Sequence, residues 1–218
     1  MNYLRAYYLT PSQYALSNIA LRRIKISRLS NVNDPFEFLA VNLTNKEHRE
    51  AFQETKAKMN ENNGLICFAR DWSNPLMWGH YASGHTGMAL GFDVEEQFLK
   101  PAIYTKTPMK IQTNPKNGYP IFTEETMGRL IRTKFYDWKY ENELRLFVKL
   151  DHATVESGMY FKDFDPSLIL REVILGSRCE LPIASIRMML DSYIPSVKVI
   201  KARSAFSSFR IIENKAVT

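Results

Sequence analysis

Hydrophobic and polar positions change period repeatedly along this chain, and each change predicts an element. Tyr3 to Leu9 is aromatic and aliphatic and reads as a strand. Thr10-Pro11 predicts a helix start, with Thr10 as cap and proline at the first helical position, running to about Leu21. Arg23-Ile24-Lys25-Ile26-Ser27 alternates with period two and predicts a short strand with both isoleucines inward. Asn31 to Phe36 is a turn. The polar stretch 45–60, with Phe52 and Met59 as its larger apolar residues, predicts an exposed helix that Asn62-Asn63-Gly64 breaks.

Leu65 to Ala69 is a compact apolar strand. Ser73-Asn74-Pro75 then opens a helix from Pro75 to about Ser83, closed by Gly84 in the left-handed region. Thr86 to Phe92 predicts a buried strand, Ile103-Tyr104 a short one, and Lys106 to Tyr119 a loop. Thr123 caps a helix to about Tyr136, with Glu124 and Glu125 complementing its dipole. Glu141–Leu150, Met159–Lys162, Glu172–Gly176, Val197–Ala202 and Phe209–Ile212 complete the strands, and Pro182–Ser192 is a helix with Ile183, Ile186, Met189 and Leu190 on one face. Helices interrupt strands irregularly, without a regular βα alternation. The expected fold is α+β: a single domain over 1–218 with a central mixed, mostly antiparallel sheet and flanking helices.

The composition narrows this little. At 45% hydrophobic and 24% charged over 218 residues, the chain is that of an ordinary globular domain. No apolar run approaches the ~20 residues of a membrane span, and Met1-Asn2-Tyr3-Leu4-Arg5 does not open a secretory signal. Two cysteines without nearby partners, Cys67 and Cys179, suit a reduced, cytoplasmic protein and leave no cysteine-rich zinc site. The net charge of +6 fits a solvated surface or an anionic partner such as nucleic acid, and does not choose between them. Arg22, Arg23, Lys25 and Arg28, and separately Arg129, Arg132, Lys134 and Lys139, match no nucleic-acid-binding helix pattern and read as solvated faces.

Two segments carry candidate chemistry. On a strand through Trp138–Leu146, Glu141, Glu143 and Arg145 share the face opposite Asn142, Leu144 and Leu146. Two carboxylates and a guanidinium on one rigid face can polarise a substrate hydroxyl and stabilise a developing cation, or can simply form an exposed Glu–Arg ladder. The segment from Leu76 to Gly87 gathers Trp78, His80, Tyr81 and His85, ligand-contacting types between two strands. Structural histidines are the competing account of it. The spacing of His80 and His85 misses the i,i+4 geometry of a helical metal pair, so no metal is expected. Asn31–Glu37 reads as a structural turn. There is no nucleophile elbow, Walker loop or dinucleotide-binding glycine motif.

Asn33-Asp34-Pro35-Phe36-Glu37, Cys67-Phe68, Leu76-Met77-Trp78-x-His80-Tyr81-Ala82-x-x-His85-x-Gly87, Trp138-x-Tyr140-Glu141-x-Glu143-x-Arg145 and Glu172-Val173-Ile174-Leu175-Gly176 occur in that order. By these segments the chain resembles the prokaryotic and phage family called domain of unknown function twenty-nine seventy-one. The order of parts is similar, more loosely, to ADP-ribosyltransferase-like folds of the DNA-modifying toxin and RNA 2′-phosphotransferase type. Tyr8-Leu9-Thr10 would be the first strand's end and Glu141-x-Glu143 the late acidic motif. That likeness implies cleavage of the nicotinamide–ribose bond of NAD, a substrate rather than a resident cofactor. It makes Glu143, Glu141 and Arg145 the catalytic set and places Tyr8, Trp78, His80, Tyr81 and His85 around the ligand. It further implies an effector in phage–host conflict, as toxin or defence protein, with nucleic acid or a host protein as target. Ala69 departs from the serine that the resemblance leads one to expect after Cys67-Phe68. The competing class is a non-catalytic phage or defence module that binds a host protein or nucleic acid, and a small-molecule or nucleotide hydrolase using the same carboxylates is a third.

Overall fold

The apolar strand segments assemble into one large sheet. The structure, a computed structural model, describes residues 2–34, 36, 40–41, 45–110, 112–116, 119–192, 194 and 196–217, without the side chains of 47 and 51. In chain order the strands are β1 (Tyr3–Thr10), β2 (Arg23–Arg28), β3 (Asn63–Ala69), β4 (Met88–Glu95), β5 (Leu99–Pro101), β6 (Ile103–Thr105), β7 (Thr133–Phe135), β8 (Glu143–Lys149), β9 (Thr154–Glu156), β10 (Met159–Asp163), β11 (Leu168–Leu175), β12 (Lys198–Ser204) and β13 (Ile211–Glu213). The helices are α1 (Ser12–Ala20), α2 (Lys46–Asn62), α3 (Pro75–Tyr81), α4 (Glu124–Leu130) and α5 (Ile183–Asp191). The fold is α+β, with a mixed and mostly antiparallel sheet, as expected.

The sheet runs β13-β12-β11-β4-β1-β3-β2-β10-β9, with β8 on the other edge of β3 and β5 beyond β8. Among the described residues only β11 and β12 pair in parallel within it, joined through α5; β6 and β7 form a separate parallel pair. One face carries the main core, where Ala6, Leu90, Phe92, Phe68, Leu144 and Leu146 pack against Ala15 and Ile19 of α1 and Ile186 and Leu190 of α5. On the opposite face α3 sits over Leu9, Ala69, Ala89 and Ile174, while Phe52 of α2 and Leu130 of α4 sit over Leu65.

One junction shapes the rest. β3 shares a single edge between two neighbours: Ala69 pairs with Tyr7 of β1 at one end, and Leu65 and Gly64 pair with Ser27 and Arg28 of β2 at the other. Between those contacts no ladder pair joins β3 to either strand. β1 and β2 part there, and a cleft opens between them over Ile66, Cys67 and Phe68.

Several boundaries move. Pro11, not Thr10, is the cap position of α1, because Thr10 is still paired with Met88 as the last residue of β1. Asn74 caps α3 by accepting from the Leu76 amide at 3.0 Å, and α3 ends at Tyr81, followed by left-handed Ser83, Gly84 and His85. The helix expected to reach Tyr136 stops at Leu130. β-branched Ile131 and Thr133 follow, and Thr133–Phe135 pairs with β6 instead. The late strand begins at Glu143 rather than Glu141. Tyr136–Glu141 is a 3₁₀ segment, and Asn142 at φ 45° turns the chain into β8.

Candidate functional site

The expected outward-facing ladder of Glu141, Glu143 and Arg145 is a buried cluster instead. Glu141 and Glu143 are 3% and 4% exposed, and Arg145 is fully enclosed. The reason is the second layer: β6 and β7 and α4 cover the face that the strand pattern left open. Glu141, off the strand, folds back through the Asn142 turn and meets Glu143 at a third group, Lys134 on β7.

Lys134 is the residue that sequence reasoning missed. Read as part of a solvated basic run, it is buried, and its Nζ lies 2.5 Å from Glu141 Oε2 and 3.5 Å from Glu143 Oε2. Its position on a two-stranded ladder opposite Tyr104 puts it there, and nothing local in the sequence signals that pairing. Arg145 donates to Glu143 Oε2 at 2.8 Å and to the Ile131 carbonyl at 2.6 Å. The Tyr104 hydroxyl accepts from the Glu143 amide at 2.8 Å, and burial raises its pKa to about 12.

Burial alone would raise the Glu143 carboxyl, but the charges of Arg145 and Lys134 outweigh it and hold the group below its ordinary range. Glu143 is therefore an anion at neutral pH, suited to accept a hydroxyl proton's hydrogen bond or to face a cation, and unsuited to donate a proton. Its Oε1 is buried and has no hydrogen-bond partner among the described residues. The weak thiol donor of Cys67 contributes to the same lowering. Ala69, where the resemblance leads one to expect serine, stands opposite Glu143 in the ladder, so no hydroxyl reaches the carboxylate from there.

The cluster forms one end of the cleft between β1 and β2, a cavity of about 220 Å³. Tyr7 and Tyr8 of β1, Lys25 and Ser27 of β2, Asn31 and Asn33 of the turn after β2, Cys67 of β3, and Met77 and Tyr81 of α3 supply its walls. Tyr81 donates to Glu141 and accepts from Asn33 Nδ2 at 2.5 Å. Burial and the Glu141 charge push its hydroxyl far above the ordinary tyrosine range. Tyr8 titrates at about 12, raised by burial and then by Cys67, and Tyr7 at about 12, raised by burial and by Glu172. The Asn31–Glu37 turn therefore contributes Asn31 and Asn33 to the cleft, beyond the purely structural part expected of it; Pro35 and Glu37 lie outside the described residues.

The structure thus brings Tyr8, Tyr81, Glu141 and Glu143 to one concavity, with Arg145 behind Glu143. It separates the other candidates from it. Trp78 is fully buried, donates its indole N–H to the Trp72 carbonyl at 2.6 Å, and stacks on His85 at 6.3 Å between centroids. Neither lines the cleft: Trp78 belongs to the core, and His85 is half-buried beside it, where burial and then the Arg178 charge lower its pKa. His80 is exposed and does not line the cleft; its ring lies 6.2 Å from that of Tyr81 and 6.0 Å from that of Tyr140. Among the described residues no group of three or more His, Cys, Asp or Glu side chains could hold a metal ion, and no helix is long and apolar enough to cross a membrane.

No curated protein and no solved structure matches the chain. A family model does. It matches residues 77–146, from α3 into β8, the stretch that holds Tyr81, Lys134, Glu141, Glu143 and Arg145. Over these residues the chain is similar to the family described as Protein of unknown function (DUF2971).

Proposed function

We propose that the cleft binds a nucleotide of the NAD type and that Glu143 acts at the bond between ribose and base, as in ADP-ribosyltransferase-like chemistry. The observation that carries this reading is the buried, ionised Glu143 carboxylate with one oxygen unpartnered, at the end of a cleft opened by the parting of β1 and β2. A ribose hydroxyl would donate to Oε1. As the glycosidic bond breaks, the same charge would stabilise the oxocarbenium-like sugar, an electrostatic effect that a dry site strengthens. Tyr81, bound to Glu141, would position the sugar; Tyr7 and Tyr8 would flank the departing ring. Lys25, exposed at the rim, would meet a phosphate. A volume of about 220 Å³ is below the ~300–1,000 Å³ of a drug-sized site, so one half of a dinucleotide would enter and the other lie along the open sheet. NAD would be consumed, and such an activity would suit an effector in phage–host conflict.

The competing reading, a binding module without catalysis, draws on the engagement of both Glu141 oxygens and of Glu143 Oε2 by protein groups. Thermal denaturation with NAD and measurement of released nicotinamide separate the two. NAD at 100 times its dissociation constant should add about 2.7 kcal/mol of stability, and nicotinamide should appear with wild-type protein only. Stabilisation without release, in the presence of candidate acceptors, supports the binding module. Neither stabilisation nor release would overturn the NAD reading.

A further inference from the structure

The surface beside the cleft carries an unusual run of rings that the proposed chemistry does not use. The β12–β13 connection, Ala205–Arg210, presents Phe206 and Phe209 at 95% and 99% exposure. Phe206, Phe209 and Pro75 border one depression; Phe209, Leu76 and Tyr140 border the next, and that one has Glu141 in its wall. From Tyr140 the rings continue on both sides, to His80 and to Trp138, each 6.0 Å away between centroids and inclined by 31° and 37°. Glu141 is thus a partition: one side faces the cleft, the other the ring-lined depression.

One cation lies over a ring of this run, and two lie over Tyr136, in the same 3₁₀ segment as Trp138 and Tyr140. The Arg203 guanidinium lies 4.5 Å over Phe206, and Lys106 and Lys139 lie 4.9 and 5.6 Å over the Tyr136 ring. None of the three forms an ion pair among the described residues, whereas Arg210 is held by Asp71 at 3.0 Å. Nearly full exposure of two phenylalanines is unfavourable unless something covers them. The occupant must offer flat apolar faces and negative charge at short, repeated intervals. We propose that this strip binds single-stranded nucleic acid, with bases on Phe206, Phe209 and Tyr140 and phosphates on Arg203, Lys139 and Lys106. Stacking on aromatic rings tolerates any base, and Lys and Arg follow the backbone. A duplex hides its base faces and would gain nothing from the rings.

The proposal stands apart from the NAD reading, and its test is pure binding. Fluorescence anisotropy would follow a labelled oligothymidylate longer than the ~4–16 nucleotides of a typical strand site, titrated with full-length protein at low and moderate salt. The double variant Phe206→Ser/Phe209→Ser, confined to an exposed loop, should keep the wild-type melting temperature and bind at least roughly tenfold more weakly. Lys139→Glu should reduce the slope of log affinity against log salt by about one. Unlabelled duplex of equal length should compete poorly. Absence of binding at low salt, or equal affinity in the double variant, overturns the proposal, since charge alone would then explain any association. If no strand binds and the double variant changes the sedimentation of the protein, the phenylalanines are a protein contact and the proposal falls. The assay contains no NAD, so an inert cleft and an empty strip give different results.

Discussion

Replacing Lys134 by methionine isolates the electrostatics of the candidate site. Methionine keeps much of the side-chain length and all of its apolar character but removes the ammonium that joins Glu141 and Glu143. In wild type that ammonium is buried and within 3.5 Å of both carboxylates. Without it two buried acids face each other, with Arg145 as cation for Glu143 and only the Tyr81 hydroxyl for Glu141. Removing one member of a buried ion pair costs about 3–5 kcal/mol, because the remaining charge is left uncompensated. Against a total stability of about 5–15 kcal/mol, that is a fall in melting temperature of roughly 6–20 °C for a chain of this size. The loss has a signed pH dependence. The orphaned carboxylate takes up a proton more readily than in the unfolded chain, so the variant is relatively most stable below the ordinary glutamate range and loses that relief as pH rises. Denaturant unfolding at pH 5 and pH 8 should therefore show the larger deficit at pH 8. Adding Glu141→Gln should restore part of it, a coupling that a double-mutant cycle measures. A deficit under 1 kcal/mol, or one that is equal at both pH values, would refute the buried-cluster account.

Two further outcomes follow from the same geometry. Glu143→Gln should destabilise by about 3 kcal/mol at pH 7, not the near-zero change of an exposed residue. Because the fold lowers the Glu143 carboxyl below its ordinary 4.5, its contribution is full above that pH and lost as pH falls through the folded value, so the variant's melting curve should converge on wild type in acid. Gly176→Ala should lose roughly 1–3 kcal/mol or more, since a Cβ there would lie 2.2 Å from the His85 carbonyl oxygen and 2.8 Å from that of Gly87; calorimetry of the variant checks this, and an unchanged transition would show that the turn after α3 can yield.

Local pattern was enough for most strands. Period-two alternation placed Ile24 and Ile26, and continuous apolar runs placed β3, β4 and β11, because burial on both faces leaves the same imprint wherever the partner strands come from. The candidate site was legible in its parts and not in its assembly. Glu143 and Arg145 do alternate with Leu144 and Leu146, yet both faces of β8 are buried, since the covering layer of β6, β7 and α4 is a tertiary fact with no trace in the strand itself. Lys134 illustrates the same limit: a lysine is mostly exposed unless paired, and its partners, Glu141 and Glu143, stand on either side of a left-handed asparagine after a 3₁₀ segment. Trp78 and His85 erred in the other direction. Their chemistry was suggestive, but indole size drove Trp78 into the core, and half-buried His85 stacks on it instead of meeting a ligand.

The strand order also has a consequence for synthesis. All residues of the cleft and its acidic end come from the first 145 of the chain, but the strands that flank that part of the sheet come later. β11 covers the outer edge of β4, and β10 that of β2. A nascent chain that has just completed β8 therefore holds every group of the site between two open strand edges, one of them the buried, apolar β4. Open edges of that kind recruit other chains. Among the described residues the last third of the sequence contributes no wall to the cleft; it acts as a seal on both margins, and its arrival from the ribosome converts an aggregation-prone intermediate into a sheet with covered edges.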